Sequence, residues 1–252
     1  MSRKTIPEDG TSVDMNDKRI AAGFGGFHNQ NPNSAARVAK GKGYKDASVK
    51  CVIPSRGKIH ARVVERWFGL MTPMNQRFFR MFMIGMPVDQ AYNVAIETIM
   101  GHPELKNWPY ILTLEDDNIP PLDGILRLID DMDEADVVGG LYWLKGENGQ
   151  PMIYGDPNVM PLNFWPQVPR ENQLQACNGL GMGFTMFKTS IFSDERIPKP
   201  WFKTEQSMEN GGVRMYTQDL YFFEKIHGLG YKVACDTRIK VGHYDADNDF
   251  IW

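Results

Sequence analysis

Apolar residues along the chain recur with two alternating periods. Residues 49–54 form a short apolar run closed by Pro54-Ser55-Arg56-Gly57, which predicts a buried strand leaving into a loop. Residues 60–71 carry helix-spaced apolar positions, and 78–84 are apolar and aromatic like a second strand. Apolar residues at 88, 91, 95, 96 and 99 predict a helix over 88–100, with Gly101 as its stop signal. A third strand is predicted at 110–114, ending in Glu115-Asp116-Asp117-Asn118. Pro120 and Pro121 then open a predicted helix reaching about residue 132, and 136–144 reads as a fourth strand. Strands alternating with helices predict an α/β fold, with a mainly parallel sheet flanked by helices on both faces. The second half is less regular. Residues 145–175 hold five prolines and little periodicity, so long loops over a cleft are expected. Residues 178–192 mix small and apolar side chains, 218–227 has a helical pattern, 232–235 that of a strand, and 241–245 follows. There is no internal repeat.

Residues 1–47 differ from the rest. They are polar and rich in Gly and Asn, with no sustained hydrophobic period, and are expected to be a flexible N-terminal segment. The run Gly23-Phe24-Gly25-Gly26-Phe27 is its one sticky stretch. Residues 48–252 are expected to form a single domain, since the whole chain of 252 residues fits one large α/β unit. With 42% hydrophobic and 23% charged residues, that unit can build a sizeable core. A net charge of −3 argues against general nucleic-acid binding, which calls for a basic excess. The three cysteines, 51, 177 and 235, form no C-x-x-C pair, so neither a zinc ribbon nor a disulfide framework is indicated. Two of them lie in strand-like runs and read as buried thiols. A reducing, cytoplasmic setting is the expectation. No stretch approaches the roughly 20 apolar residues of a membrane span, and the N-terminus lacks a signal peptide's apolar core.

The acidic cluster has the strongest claim to chemistry. In parallel sheets ligands bind at the carboxyl ends of strands, which is where 115–117 fall. Glu115 and Asp117 alternate, so in extended chain they would share one face, with Asp116 turned to the other side, toward ribose or backbone. Two such carboxylates suit a hard divalent cation, Mn2+ or Mg2+, which can bridge the oxygens of a diphosphate. The competing reading is a solvated acidic loop capping the helix that follows.

The stretch from Asn93 to Asn118 resembles the GT-A glycosyltransferases, particularly family 2. These enzymes place an Asn in a helix and then an apolar strand ending in an acid-x-acid motif. Here Asn93 precedes Tyr110-Ile-Leu-Thr-Leu-Glu115-Asp116-Asp117. Ile53-Pro54-Ser55-Arg56 resembles the family's first strand running into its nucleotide loop. The likeness spans roughly residues 49–245 in the order of elements, and only the acidic motif is specific. Glu115 departs from the commoner Asp as first acid. The resemblance implies a GT-A catalytic domain moving a hexose from a nucleotide-sugar, by family frequency a UDP-sugar such as UDP-glucose, to a hydroxyl acceptor. It implies nucleotide-sugar contacts from Pro54, Arg56, Asn93, Glu115 and Asp116, and metal ligation by Glu115, Asp117 and His243. It also implies that Asp219, in Thr217-Gln218-Asp219, is the family's second acidic motif. As base, Asp219 would take a proton from the acceptor hydroxyl. On the residues alone, Thr217 or Asp219 serves equally as a helix cap or first-turn acid, and His243 as a structural histidine.

Other motifs fail on inspection. Asp245-Ala-Asp247-Asn-Asp249 begins like a calcium loop, but its sixth position is Phe250 rather than Gly. Gly179, Gly181 and Gly183 begin like a dinucleotide loop, yet lie far from the first strand and are followed by Phe184; they read as a close-packed turn near the acceptor side. Trp143 and Trp165 fit sugar stacking or plain packing. Two further functions stay open: a nucleotidyltransferase that makes the sugar nucleotide, and a non-catalytic nucleotide-sugar binder.

Overall fold

The computed structural model describes residues 45–209 and 212–252. The polar leader therefore lies, up to residue 44, outside the described residues, as does the Gly23–Phe27 run. Lys45–Trp252 forms one compact unit.

Its first half follows the hydrophobic pattern closely. Strand β1 (Val49–Ser55), helix α1 (Ala61–Phe68), β2 (Phe78–Ile84), α2 (Val88–Gly101) and β3 (Tyr110–Leu114) come in the expected order. A two-residue strand β4 (Asn118–Ile119) follows, then α3 (Gly124–Asp131) and β5 (Val137–Leu141). Helix α3 starts later than the two prolines suggested. Pro121 forms a turn before it, its carbonyl accepting the Gly124 N–H at 2.9 Å.

The second half contains short strands β6 (Ile153–Tyr154), β7 (Leu174–Ala176) and β8 (Gly179–Leu180), then β9 (Phe184–Lys188). A hairpin of β10 (Glu205–Glu209) and β11 (Gly212–Tyr216) leads into α4 (Gln218–Ile226). The chain ends with β12 (Val233–Lys240), β13 (Gly242–Asp245) and β14 (Phe250–Ile251).

Seven strands make the central sheet in the order β2-β1-β3-β9-β5-β12-β7. β2, β1, β3, β5 and β12 run one way, and β9 and β7 run against them. The sheet is thus mainly parallel, with an antiparallel strand at its centre.

Alternate residues feed two cores, one on each face. Val52, Ile111 and Phe187 face one side with Tyr92, Ala95 and Ile96 of α2 and Phe222 and Phe223 of α4. Cys51, Leu112 and Met186 face the other with Ile125 and Leu128 of α3. Cys51, Cys177 and Cys235 are all buried free thiols. Among the described residues no helix is long and apolar enough to cross a membrane.

Candidate active site

β1 and β3 are parallel neighbours, so Arg56 and Glu115 leave the sheet at the same edge. Pro54 is buried inside β1, and Arg56 is exposed just beyond its end. At the end of β3 the chain does not stay extended. Glu115 N–H donates to Gly183 O at 3.1 Å, and Asn118 N–H donates to Glu115 O at 3.1 Å, which closes a turn over 115–118. The expectation that Glu115 and Asp117 share a face by strand alternation is therefore corrected. The physical reason is β4: Asn118 and Ile119 must pair antiparallel with His243 and Gly242 of β13, and the chain turns to reach them.

The two carboxylates consequently point to different partners. Glu115 accepts a hydrogen bond from the Tyr92 hydroxyl at 3.1 Å. Burial pushes its carboxyl up to about 7, and the nearby charges of Asp117 and Asp219 push the same way. Burial likewise holds the Tyr92 and Tyr142 phenols protonated, as donors, well above their ordinary range.

Asp117 instead meets cations. Its Oδ2 lies 2.5 Å from Lys145 Nζ and 3.3 Å from His243 Nε2. Burial raises its carboxyl, but the hydrogen bonds from His243 and Lys145 outweigh that and hold it below the usual value. Asp116 is partly exposed between them.

His243 reaches Asp117 through the small β4–β13 sheet, although the two are far apart in sequence. Its backbone exchanges both hydrogen bonds with Trp252 at 3.0 Å, and Tyr244 N–H donates to Asp117 O at 2.7 Å. Its Nδ1 is 2.8 Å from Trp143 O, and its ring stands edge-on to Tyr142. A carbonyl can only accept, so Nδ1 carries a proton, which leaves Nε2 as the ring atom directed at Asp117. An imidazole fixed through its other nitrogen and directed at a carboxylate is the usual arrangement of a metal-binding histidine. Asp117 and His243 thus fit a divalent cation. Among the described residues no third carboxylate, His or Cys joins them in a metal-holding group, because Glu115 is turned toward Tyr92.

Asp219 sits in the first turn of α4 and is buried. Its Oδ1 accepts the Leu220 N–H at 2.9 Å, a helix-end contact that agrees with the capping reading. Burial raises its carboxyl, and hydrogen bonds from Thr217 and Leu220 draw it partly back. Its charge is felt by Glu115, Tyr92, Tyr142 and Tyr154, so it lies near them.

Asn93 has a different occupation from the one expected. Its Nδ2 donates to Asp89 O (2.9 Å) and Phe202 O (2.6 Å), and its Oδ1 accepts from Trp201 N (2.9 Å) and Phe202 N (3.2 Å). Those four bonds saturate the amide, which leaves nothing for a base or ribose.

The glycines do pack closely. A Cβ on Gly181 would lie 2.1 Å from the Tyr142 hydroxyl oxygen, and one on Gly183 2.6 Å from Asn118 Oδ1. The Asn118 amide is fully buried and has no hydrogen-bond partner; nothing in the structure explains it. Trp143 forms a backbone β-bridge with Pro151 and packs at the edge of the α2/α4-side core, whereas Trp165 is 77% exposed.

Tyr92, Tyr142 and Lys145 escape a reading of the sequence. Tyr92 looks like one more apolar position of α2, and nothing marks Lys145 among the charged residues of its loop.

No protein-family profile and no curated protein matches this sequence. Among solved structures, the chain is similar to A197 from STIV, with a TM-score of 0.57 and 18% identity over 81% of this chain and 92% of that one. It is also similar to GalNAc-T7, whose structure contains UDP, GalNAc and Mn2+, with a TM-score of 0.52 and 11% identity. That match covers 79% of this chain and 44% of GalNAc-T7, so the chain spans less than half that protein's length. With a mainly parallel seven-stranded sheet, helices on both faces and an acidic turn at the carboxyl end of β3, the chain has the GT-A fold.

Proposed function

We propose that this protein is a metal-dependent glycosyltransferase that moves a hexose from a nucleoside diphosphate sugar to a hydroxyl acceptor. The observation that carries the reading is the Asp117–His243 pair, its imidazole fixed by the Trp143 carbonyl, beside half-buried Glu115 and buried Asp219. Asp117 and His243 would hold Mn2+ or Mg2+, and the ion would supply positive charge to the departing diphosphate. The surplus of carboxylates in this partly buried pocket favours such an ion. Glu115 takes part from the Tyr92 side of the pocket. Pro54, Arg56 and Asp116, at the same sheet edge, line the nucleotide side, while Asn93 serves it indirectly by holding the 201–202 segment against α2. UDP is the first nucleotide to test and UDP-glucose the first donor; GalNAc-T7 was solved with UDP and Mn2+. Asp219 is the acceptor-side base: its raised carboxyl is better matched to removing a hydroxyl proton near neutral pH. Three buried free thiols accord with work in the cytoplasm.

The test is a thermal-shift and turnover series with sugar nucleotides, with and without Mn2+. Metal-dependent stabilisation by UDP and metal-dependent consumption of UDP-glucose are expected, and both should vanish in Asp117→Ala while the fold persists. Full turnover in excess chelator, or indifference to every sugar nucleotide, overturns the reading.

A further inference from the structure

Lys145 has no role in the reaction set out above, yet it occupies the centre of the site. It lies on a tight turn after β5, where Leu144 N–H donates to Gln150 O at 2.9 Å and Gly149 N–H to Gly146 O at 2.8 Å. Gly146 holds φ +107°, a conformation that suits glycine. This turn is anchored to the site from below, because the neighbouring Trp143 carbonyl is the group that orients His243. Among the described residues Lys145 pairs with Asp117 alone, at 2.5 Å, on the same Oδ2 that His243 Nε2 faces at 3.3 Å.

That geometry sets up a competition. One carboxylate oxygen offers its charge to an ammonium, and a divalent cation held by Asp117 and His243 needs the same oxygen. The two cations repel at such short range, so one must yield. The lysine side chain is about one-third exposed, at 34%, on a flexible four-carbon stem, which makes it the one able to move. Once displaced, its ammonium has lost its carboxylate partner but is still tethered beside the ion by the turn. The nearest anion then available is the diphosphate that the ion itself attracts.

We propose that Lys145 is a stand-in cation at Asp117, which it yields to the divalent metal before turning to bind the diphosphate of the donor. The inference rests on the metal site proposed above. It makes the binding of metal and diphosphate mutually reinforcing: metal alone must break the Lys145 pair, and the diphosphate returns a partner to it.

Lys145→Met tests this by isothermal titration, first with Mn2+ alone and then with UDP at saturating Mn2+. Without nucleotide the variant should bind Mn2+ about 2–5-fold more tightly than wild type, the scale of an exposed ion pair removed. With Mn2+ saturating, its UDP affinity should fall roughly 10–100-fold, as for a lost charged hydrogen bond. Lys145→Arg, which keeps the charge, should restore most of the UDP affinity. Shifts of opposite sign are not what a merely structural lysine gives, since loss of a structural contact weakens both. If wild type binds Mn2+ but Lys145→Met binds it no tighter, or if UDP affinity is unchanged, the assignment of Lys145 is overturned while the metal site stands. If wild type takes up no Mn2+ with or without UDP, the metal site itself is wrong and Lys145 falls with it.

Discussion

Glu115 and Asp117 are two positions apart, and the fold shifts their carboxyls in opposite directions, Glu115 up and Asp117 down. Asp117 is held ionised by His243 and Lys145, while Glu115, half-buried against Tyr92 with two other carboxylates nearby, keeps its proton to about pH 7. The ordinary value for such a group is 4.5, so the folded chain binds this proton more tightly than the unfolded one. The stability gained is complete below about pH 4.5 and is lost as pH rises through about 7. In chelator, Glu115→Gln should therefore be more stable than wild type at pH 8, by about 1–3 kcal/mol, with the gap closing toward pH 5. Urea denaturation at the two pH values measures it, and a pH-independent difference would show that Glu115 is not protonated in the fold. Asp219 gives a sharper test of chemistry. Asp219→Asn keeps the helix-end contact to Leu220, since Asn caps as well as Asp. If the carboxylate is the base, transfer falls about 10²–10⁴-fold while Mn2+-dependent UDP binding stays near normal. Wild-type turnover in this variant would leave Asp219 with the capping role alone. Determining the product anomer by NMR completes the test, because in a retaining reaction the leaving phosphate can itself act as base.

At the scale of elements, the site depends on pieces that look unimportant in isolation. The two-residue strand β4 draws the acidic turn into shape and brings His243 across. The glycine-rich passage from β8 into β9 lets the backbone run beneath Tyr142 and Asn118. Gly181→Ala would drive a methyl group into the Tyr142 hydroxyl, and overpacking of this kind costs about 1–3 kcal/mol. Because Tyr142 also stands against His243, the same variant should weaken Mn2+ binding; a fully stable variant with normal metal affinity would contradict the packing described. Asn93 anchors the loop at 201–202 to α2 with four hydrogen bonds. Asn93→Ala should lower stability by about 2–4 kcal/mol while changing UDP affinity little, measured well below the melting temperature. A stable variant that has lost UDP would restore Asn93 to the nucleotide.

At the scale of the whole molecule, the local and the long-range parts of the fold were unequally legible. The β1 to β5 segment could be read from the sequence because its short apolar runs are bounded by turn signals and alternate with helix-spaced apolar positions. The strand ends at 78–84 and 110–114 and the helix at 88–100 followed from that pattern, as did the acidic cluster's position at the carboxyl edge of a parallel sheet. β9 left no comparable signal. Phe184-Thr185-Met186-Phe187 lies inside a longer mixed stretch of small and apolar residues, 178–192, and its antiparallel place between β3 and β5 at the sheet's centre is fixed by long-range pairing. The chemistry divides along the same line. Residue types alone determined that a carboxylate pair ends an apolar strand and that a lone histidine follows late in the chain. Only the tertiary structure decided that the pair separates in a turn, that Asp117 rather than Glu115 meets His243, that the Asn93 amide is spent on backbone, and that Lys145 pairs with Asp117. Those outcomes depend on which distant backbone supplies each hydrogen-bond partner, and sequence spacing carries no record of partners that folding brings from a hundred or more residues away.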